Sequence, residues 1–128
     1  MNNEQKITRG LIIRQPWADM ILDGKKTWEM RSKQTNVRGR IALIEQGSGL
    51  IVGECWLLDS TYPLSDGEFA FYYICHKIKD TRLLKKWRIP WVIGTPKRYD
   101  KPIPYKHPQG AVVWVDLEKA GVDLSKTK

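Results

Sequence analysis

Cysteine and histidine are scarce in this sequence, and their scarcity narrows the kinds of site it can build. The two cysteines, Cys55 and Cys75, lie outside any CxxC pattern, so we expect free thiols in a reducing compartment rather than a disulfide framework. The two histidines are isolated as well. We interpret His76 as an exposed residue at a helix end and His107 as a loop residue. Because no metal-ligand spacing is present, we expect neither a metal nor another cofactor.

Long apolar runs are also missing. No stretch approaches the roughly 18 apolar residues that a transmembrane helix needs. The opening residues, MNNEQK, contain no apolar signal core. The sequence therefore predicts a cytoplasmic protein without a membrane partner. Its 128 residues, 41% of them hydrophobic, favour one domain with a core large enough to fold without disulfide or metal cross-links.

Positive charge and tryptophan are both abundant. Lysine and arginine number 22 against 14 aspartates and glutamates, which leaves a net charge of +8. Such a balance favours a polyanionic partner, nucleic acid first, although many small proteins are basic without one. The six tryptophans are expected to be mostly core, with one or two available to stack on a base.

Apolar periodicity and turn residues predict an α+β fold, a small, strongly curved sheet or barrel of about six strands with two or three short helices. Gly53 indicates a bulge or a close backbone approach. Ser65 with Glu68 forms a capping box. The predicted strands lie within residues 8–14, 24–31, 39–46, 50–59, 91–100 and 111–117, and the predicted helices within 16–23, 66–77 and 83–87. Residues 8–117 would form the domain, with a flexible N-terminal tail at 1–7 and a C-terminal tail at 118–128.

The segment GKKTWEMR, residues 24–31, interleaves charged and apolar side chains. In an extended strand Trp28 and Met30 would share one face, the natural core face, while Glu29 and Arg31 would share the other. One interpretation is a solvated edge strand whose Glu29–Arg31 pair contributes about 0–1 kcal/mol. The alternative is the wall of a polar cleft.

The segment RQPWADMILDGKKTWEMR, followed by RGRIALIEQ, resembles the ASCH family, a branch of the PUA-like β-barrels. The family pattern G-x-K-x-x-E-x-R is met by Gly24, Lys26, Glu29 and Arg31. The later stretches LIVGECWLLD and WVIGTPKRYDKPIPYKHPQGAVVWV are also similar to strands of bacterial and phage ASCH proteins, so the resemblance covers roughly residues 8–117. It implies a PUA-like barrel with a cleft beside the first helix.

The resemblance also implies a function. Family members are generally thought to bind RNA or other nucleic acid, and a small bacterial branch hydrolyses N4-acetylcytidine to cytidine and acetate. The catalytic lysine of that branch aligns with Lys26, but a threonine lies where this chain has Glu29. The branch also uses a later glutamate, for which Glu54 and Glu68 are the candidates here.

Binding of RNA, another single-stranded nucleic acid or a modified nucleoside requires cations for phosphate, a flat apolar surface and polar groups for the base edge. Trp17, expected to be mainly core, and Tyr105 are the candidates for stacking, and the N-terminus of the first helix offers backbone N–H groups to an anion. Glu29 would accept from an exocyclic amine or orient its neighbours. The candidate binding residues are Arg14, Gln15, Trp17, Lys26, Glu29, Arg31, Arg38 and Tyr105.

An enzyme remains the alternative, a hydrolase that uses Lys26 and Glu29 as an amidohydrolase or as a phosphodiesterase such as a ribonuclease. Lys26 would act as a base only if desolvation or nearby cations lowered its pKa, and Glu29 is expected to oppose this by stabilising the charged amine. Glu29 could instead be the base. A protein-interaction surface at the proline-rich residues 102–108 is a third possibility that nothing in the sequence favours.

Overall fold

A six-stranded sheet forms the centre of the computed structural model, which describes residues 6–124. Its strands are β1 (Arg9–Ile13), β2 (Trp28–Arg31), β3 (Gly39–Glu45), β4 (Leu50–Ser60), β5 (Ile89–Pro104) and β6 (Trp114–Asp116). Their order across the sheet is β2-β5-β4-β3-β1-β6. Strands β1 and β3 pair in parallel, and the other neighbours pair antiparallel. The predicted α+β class with about six strands and short helices is confirmed.

The sheet curls into a half-barrel, and side chains connect its two ends. The Arg31 guanidinium on β2 donates to the carbonyl oxygen of Ile12 on β1 over 2.8 Å, although three strands separate β2 from β1 in the sheet order. The indole of Trp91 on β5 stacks on that of Trp114 on β6, with ring centroids 5.9 Å apart. The curl therefore brings β2 back toward β1.

The first helix, α1 (Trp17–Leu22), lies between β1 and β2 as predicted. Gly24, at φ +77°, turns the chain into β2. The buried side chains of α1 are Ala18, Ile21 and Leu22, whereas Trp17 is only half-buried. Helical spacing in the sequence predicts Trp17, Met20 and Ile21 as the core face of this helix. The observed face is offset by one residue, since Ala18 and Leu22 also have helical spacing with Ile21.

Residues 61–88, between β4 and β5, form what we call the helical insertion. It contains α2 (Asp66–Phe71), α3 (Tyr73–His76) and a 3₁₀ turn at Thr81–Lys85. The predicted capping box is present, with Ser65 Oγ accepting from the Glu68 amide and the Glu68 carboxylate accepting from the Ser65 amide. The single helix predicted over 66–77 is interrupted at Tyr72, which has non-helical ψ, and the left-handed Lys77 ends α3.

Gly53 lies where β4 approaches β5 closely. A Cβ at this position would lie 2.5 Å from the Lys97 carbonyl oxygen and 2.6 Å from Leu22, and the pairing register shifts beside it. The predicted bulge or close approach is therefore confirmed. The β5 strand is longer than predicted and continues through residues 101–104, because Ile103 pairs with Ile51 and proline tolerates the extended conformation.

The described parts of both terminal segments pack against the sheet. Ile7 and Leu124 are buried and belong to one core cluster, with Ile44 and Val115. Strand β6 is shorter than the predicted 111–117. Residues 1–5 and 125–128, which fall in the predicted tails, lie outside the described residues.

Candidate functional site

A cavity of about 240 Å³ lies at the motif strand β2, where the curl of the sheet faces the helical insertion. The buried lining residues are Ile12, Glu29, Met30 and Ile78, the half-buried ones are Trp17, Arg31 and Trp87, and the exposed ones are Arg14, Gln46, Lys86 and Val112. The buried side chains of the wall are thus three apolar groups and one carboxylate, and the exposed mouth carries two cations. Its volume is below the roughly 300–1,000 Å³ typical of sites for drug-sized ligands, which limits it to a small guest.

Lys26 lies beneath this cavity and does not line it. The turn after α1 directs the lysine inward, because the Met20 carbonyl oxygen accepts hydrogen bonds from both the Lys25 and the Lys26 amides. The Lys26 side chain is fully shielded from solvent, and its Nζ donates to the carbonyl oxygen of His76. Glu29 Oε1 lies 4.0 Å from Nζ. The motif lysine is thus held at one position from two sides.

Burial lowers the pKa of Lys26 from 10.5 to about 8. Removal from water is the largest cause; Glu29 raises the pKa and Arg31 lowers it. Glu29 therefore opposes the lowering of the pKa, as expected, and the effect of burial outweighs it. About a tenth of the Lys26 amines are neutral at pH 7.

His76, expected to be an exposed residue, is fully buried. Its Nδ1 accepts from the Ile78 amide at 2.9 Å, so its Nε2 carries the proton and donates to the Phe69 carbonyl oxygen at 2.6 Å. Burial lowers the pKa of this imidazole and so favours the neutral form. The ring fixes the chain at the end of α3, and the His76 carbonyl oxygen is the one that holds Lys26.

Glu29 and Arg31 form a partly buried pair at the cavity. Arg31 Nε donates to Glu29 Oε2 at 2.9 Å, and the guanidinium carbon lies 5.5 Å from the Trp91 ring. Glu29 is only 5% exposed, so the interpretation of this strand as a solvated edge with a surface ion pair is wrong. Met30 was expected on the opposite face from the cavity but also contributes to its wall, because the helical insertion covers that side of β2.

Two indoles and two cations surround the mouth. The rings of Trp17 and Trp87 meet edge to face, with centroids 5.7 Å apart. The Arg14 guanidinium lies 5.1 Å from the first ring and 5.4 Å from the second. The Lys86 ammonium lies 5.2 Å from the Trp87 ring. Trp17 also packs against two core clusters, as predicted, so it contributes both to the core and to the cavity wall.

Three predicted binding residues lie elsewhere. The Gln15 amide nitrogen donates to Glu45, while its oxygen accepts from the Asp19 amide. Arg38 pairs with Asp59 at 3.4 Å, and the Tyr105 hydroxyl lies 2.6 Å from His107. None of the three lines the cavity.

The N-terminus of α1 does not offer its amides to an anion, contrary to expectation. The N–H groups of Trp17 and Ala18 donate to the Arg14 carbonyl oxygen. The amide of Asp19 donates to Gln15, and that of Met20 donates to Pro16. Every amide of the first turn is therefore already bonded within the chain.

The two later glutamates weighed for a catalytic role are committed to structure. Glu54 accepts from the Tyr99 hydroxyl at 2.8 Å and pairs with Arg40, while Glu68 closes the capping box. Neither contributes to the cavity wall.

Sequence reasoning missed the contribution of the helical insertion. Ile78, Lys86 and Trp87 come from it, and Gln46 and Val112 come from segments next to β3 and β6. The run Lys85-Lys86-Trp87-Arg88, which places an aromatic side chain among cations, was the one available signal. From sequence alone, however, such a charged run is more typical of a solvated helix end.

Among residues 6–124, no group of three histidine, cysteine, aspartate or glutamate side chains is arranged to hold a metal ion. Within the same part of the chain, no helix has the length and apolar character required to cross a membrane.

The curled six-stranded sheet thus carries a small cavity at the motif strand with two cations at its mouth. The family model of the ASCH domain matches residues 11–119, and the chain belongs to this family, which is generally linked to RNA binding. No curated protein matches the chain.

Among solved structures, the chain is similar to the crystal structure of ASCH from Zymomonas mobilis, with a TM-score of 0.66 and 14% identity over 85% of this chain and 86% of that one. A tyrosine-to-phenylalanine variant of the same protein gives 0.66 and 14%, covering 88% and 91% of the two chains. A serine-to-alanine variant gives 0.65 and 14%, covering 88% and 89%. At this identity the likeness establishes the PUA-like fold.

Proposed function

We propose that this protein binds RNA or another single-stranded nucleic acid by taking one nucleotide into the cavity at β2. The observation that carries the proposal is the composition of the wall, which combines two indoles, buried aliphatic side chains, a buried carboxylate and two exposed cations in about 240 Å³. Aromatic platforms with nearby cations are the usual means of holding single-stranded nucleic acid.

The wall is also chemically suited to a base. Ile12, Met30 and Ile78 provide apolar surface, and Glu29 provides an acceptor for an exocyclic amine. Arg31 donates hydrogen bonds to Glu29 and to the Ile12 carbonyl oxygen, so it holds the Glu29 carboxylate in place. A preference for cytosine or adenine over uracil follows, because only the first two present an amine on the Watson–Crick edge.

Tryptophan fluorescence during titration with a short oligocytidine tests the proposal. Trp87→Leu should weaken binding roughly 5- to 150-fold, the range for loss of one base–aromatic contact. Trp114→Leu makes the same substitution at a half-buried tryptophan that does not line the cavity, so it should leave affinity unchanged. Oligouridine should bind more weakly than oligocytidine, and Glu29→Gln should reduce that difference.

Raising the salt concentration should weaken the complex steeply, because phosphate contacts release counterions. Circular dichroism melting of each variant separates lost binding from lost folding. Absence of oligonucleotide binding at low salt, or equal losses in the two tryptophan variants, would contradict the proposal.

A hydrolase acting on a modified nucleoside is a second candidate, and the lowered pKa of Lys26 favours it. A buried amine with a pKa of about 8, next to Glu29, resembles the pairs that general-base catalysis requires. However, the Lys26 side chain is shielded and bonded to His76, so a substrate would reach it only after local rearrangement.

Incubation with N4-acetylcytidine, followed by chromatography for cytidine, tests this candidate. If neutral Lys26 is the base, turnover should rise from pH 7 with a midpoint at the pKa of about 8 and level off above about pH 9, and Lys26→Met should abolish it. Turnover that survives Lys26→Met would remove the lysine from the mechanism. Absence of turnover beside retained RNA binding would leave the binding function alone.

A further inference from the structure

We infer that the cavity's ligand carries a phosphate, and that Arg14 and Lys86 hold this phosphate at the mouth while the attached base lies inside. The inference rests on the proposed function and deepens it, because it makes the guest a nucleotide unit rather than a nucleoside. Two observations carry it. The cations at the mouth have no carboxylate partner in the described part of the chain, and they are exposed whereas the carboxylate of the wall is buried.

Most arginines of this chain are already neutralised. Six of them pair with carboxylates, namely Arg31, Arg38, Arg40, Arg82, Arg88 and Arg98. Among residues 6–124, Arg14 and Arg9 are the two arginines that pair with no carboxylate, and Lys86, like most of the lysines, has no such partner either; of these three cations, Arg14 and Lys86 line the cavity. Both cations instead lie over the indole of Trp87. Two like charges at one ring repel each other, and an anion between them would relieve that repulsion.

The arrangement with depth orients the guest. The one carboxylate of the wall, Glu29, belongs to the buried part, whereas Arg14 and Lys86 are exposed. A phosphate placed inside would face Glu29, whose charge is already paired with Arg31, while at the mouth it meets two cations without a carboxylate partner in the described chain that can donate charge-assisted hydrogen bonds. The base then occupies the apolar interior with its amine toward Glu29. A nucleotide has this same polarity, anionic at one end and amine-bearing at the other.

The indoles keep Arg14 in place before a ligand arrives. Its guanidinium lies over the rings of both Trp17 and Trp87. Cation–π contacts use the face of the planar guanidinium, so the N–H groups in its plane are left to bind a ligand. Less side-chain entropy is then lost on binding than for an arginine that points freely into water.

Calorimetric titration with cytidine, cytidine 5′-monophosphate and the dinucleotide CpC tests the inference. We expect the monophosphate to bind roughly ten- to hundredfold more tightly than cytidine at low salt. Arg14→Met and Lys86→Met should each remove most of this advantage and leave cytidine binding almost unchanged. Arg9→Met is the matched control, because Arg9 also lies over an indole, that of Trp114, without lining the cavity. Lys101→Met controls for the loss of one lysine charge on the exposed part of β5.

The two phosphate sources separate in the same experiment. Tight binding of CpC as well as the monophosphate supports recognition of a phosphodiester within a chain, and tight binding of the monophosphate alone supports a free nucleotide. Equal affinities for cytidine and its monophosphate, beside oligocytidine binding that still depends on Trp87, would overturn the phosphate inference and leave the proposed function standing. Absence of binding for all three ligands and for oligocytidine would overturn both.

Discussion

Lys26→Met should change how stability depends on pH. In the folded protein the pKa of Lys26 is about 8, against 10.5 for the exposed side chain. Between these two values the unfolded chain holds a proton that the folded chain has released, so the free energy of unfolding rises with pH. Below pH 8 the folded protein bears the full cost of the buried charge. The fall from 10.5 to about 8 corresponds to about 3 kcal/mol, most of which is recovered between pH 7 and 10.

The measurement is urea unfolding of both proteins at several pH values from 7 to 10. Methionine is close in shape to lysine and carries no charge, so the variant should lack this rise. The difference in free energy of unfolding between the two proteins should therefore shift in favour of the wild type by about 2–3 kcal/mol across the interval. Other titrating groups, including Tyr99, whose pKa is raised by burial, are common to both proteins and cancel in the difference.

Comparing how the free energies of unfolding of the two proteins change with pH, rather than their values at one pH, avoids a complication of the Lys26→Met substitution. The substitution also leaves the buried His76 carbonyl oxygen without its donor, which costs about 1–3 kcal/mol at every pH. That cost displaces the two stability curves without changing their relative slope. Parallel curves from pH 7 to 10 would refute the reasoning, because they would show that the pKa of Lys26 is the same in the folded and unfolded chains.

Three further predictions concern the framework of the site. Gly53→Ala should lower the free energy of unfolding by about 1–3 kcal/mol, because the new methyl group meets the Lys97 carbonyl oxygen; Gly67→Ala, in open space on α2, should be neutral or stabilising in the same denaturation experiment. Ser65→Ala should cost about 1 kcal/mol through loss of the capping box, and an unchanged melting temperature would show that α2 does not depend on it. Tyr99→Phe should cost about 1.5–3 kcal/mol by removing a buried hydrogen bond to Glu54, and a cost below a few tenths would contradict that bond.

Local signals predicted most of the framework. The hairpin of β3 and β4, the capping box at Ser65 and the close approach at Gly53 each depend on residues near one another in sequence, or on a glycine whose reason is steric. The break at Tyr72 and the continuation of β5 to Pro104 were not predictable in this way. They depend on what packs against those residues from distant parts of the chain.

The candidate site divides along the same line. Residues 14–31, which contain the family pattern, supply Arg14, Trp17, Glu29 and Arg31 to the cavity wall. The net lowering of the pKa of Lys26 could not be predicted, because it depends on burial under His76, fifty residues away in the sequence, whereas the opposing Glu29 is only three residues away. Trp87 and Lys86 were missed for the same reason, since only the folded chain brings the helical insertion against β2.

The attachment of the helical insertion has a consequence for how such sites diversify. Its two ends lie side by side, because the Thr61 amide donates to the Pro90 carbonyl oxygen and the Leu64 amide donates to that of Arg88. A segment of different length could therefore be spliced between β4 and β5 without shifting the register of either strand. Because the insertion supplies Ile78, Lys86 and Trp87, such an exchange would replace this wall of the cavity and keep the wall formed by β2 intact. Residues 61–88 are therefore the segment to exchange when new ligand preferences are to be grafted onto this scaffold.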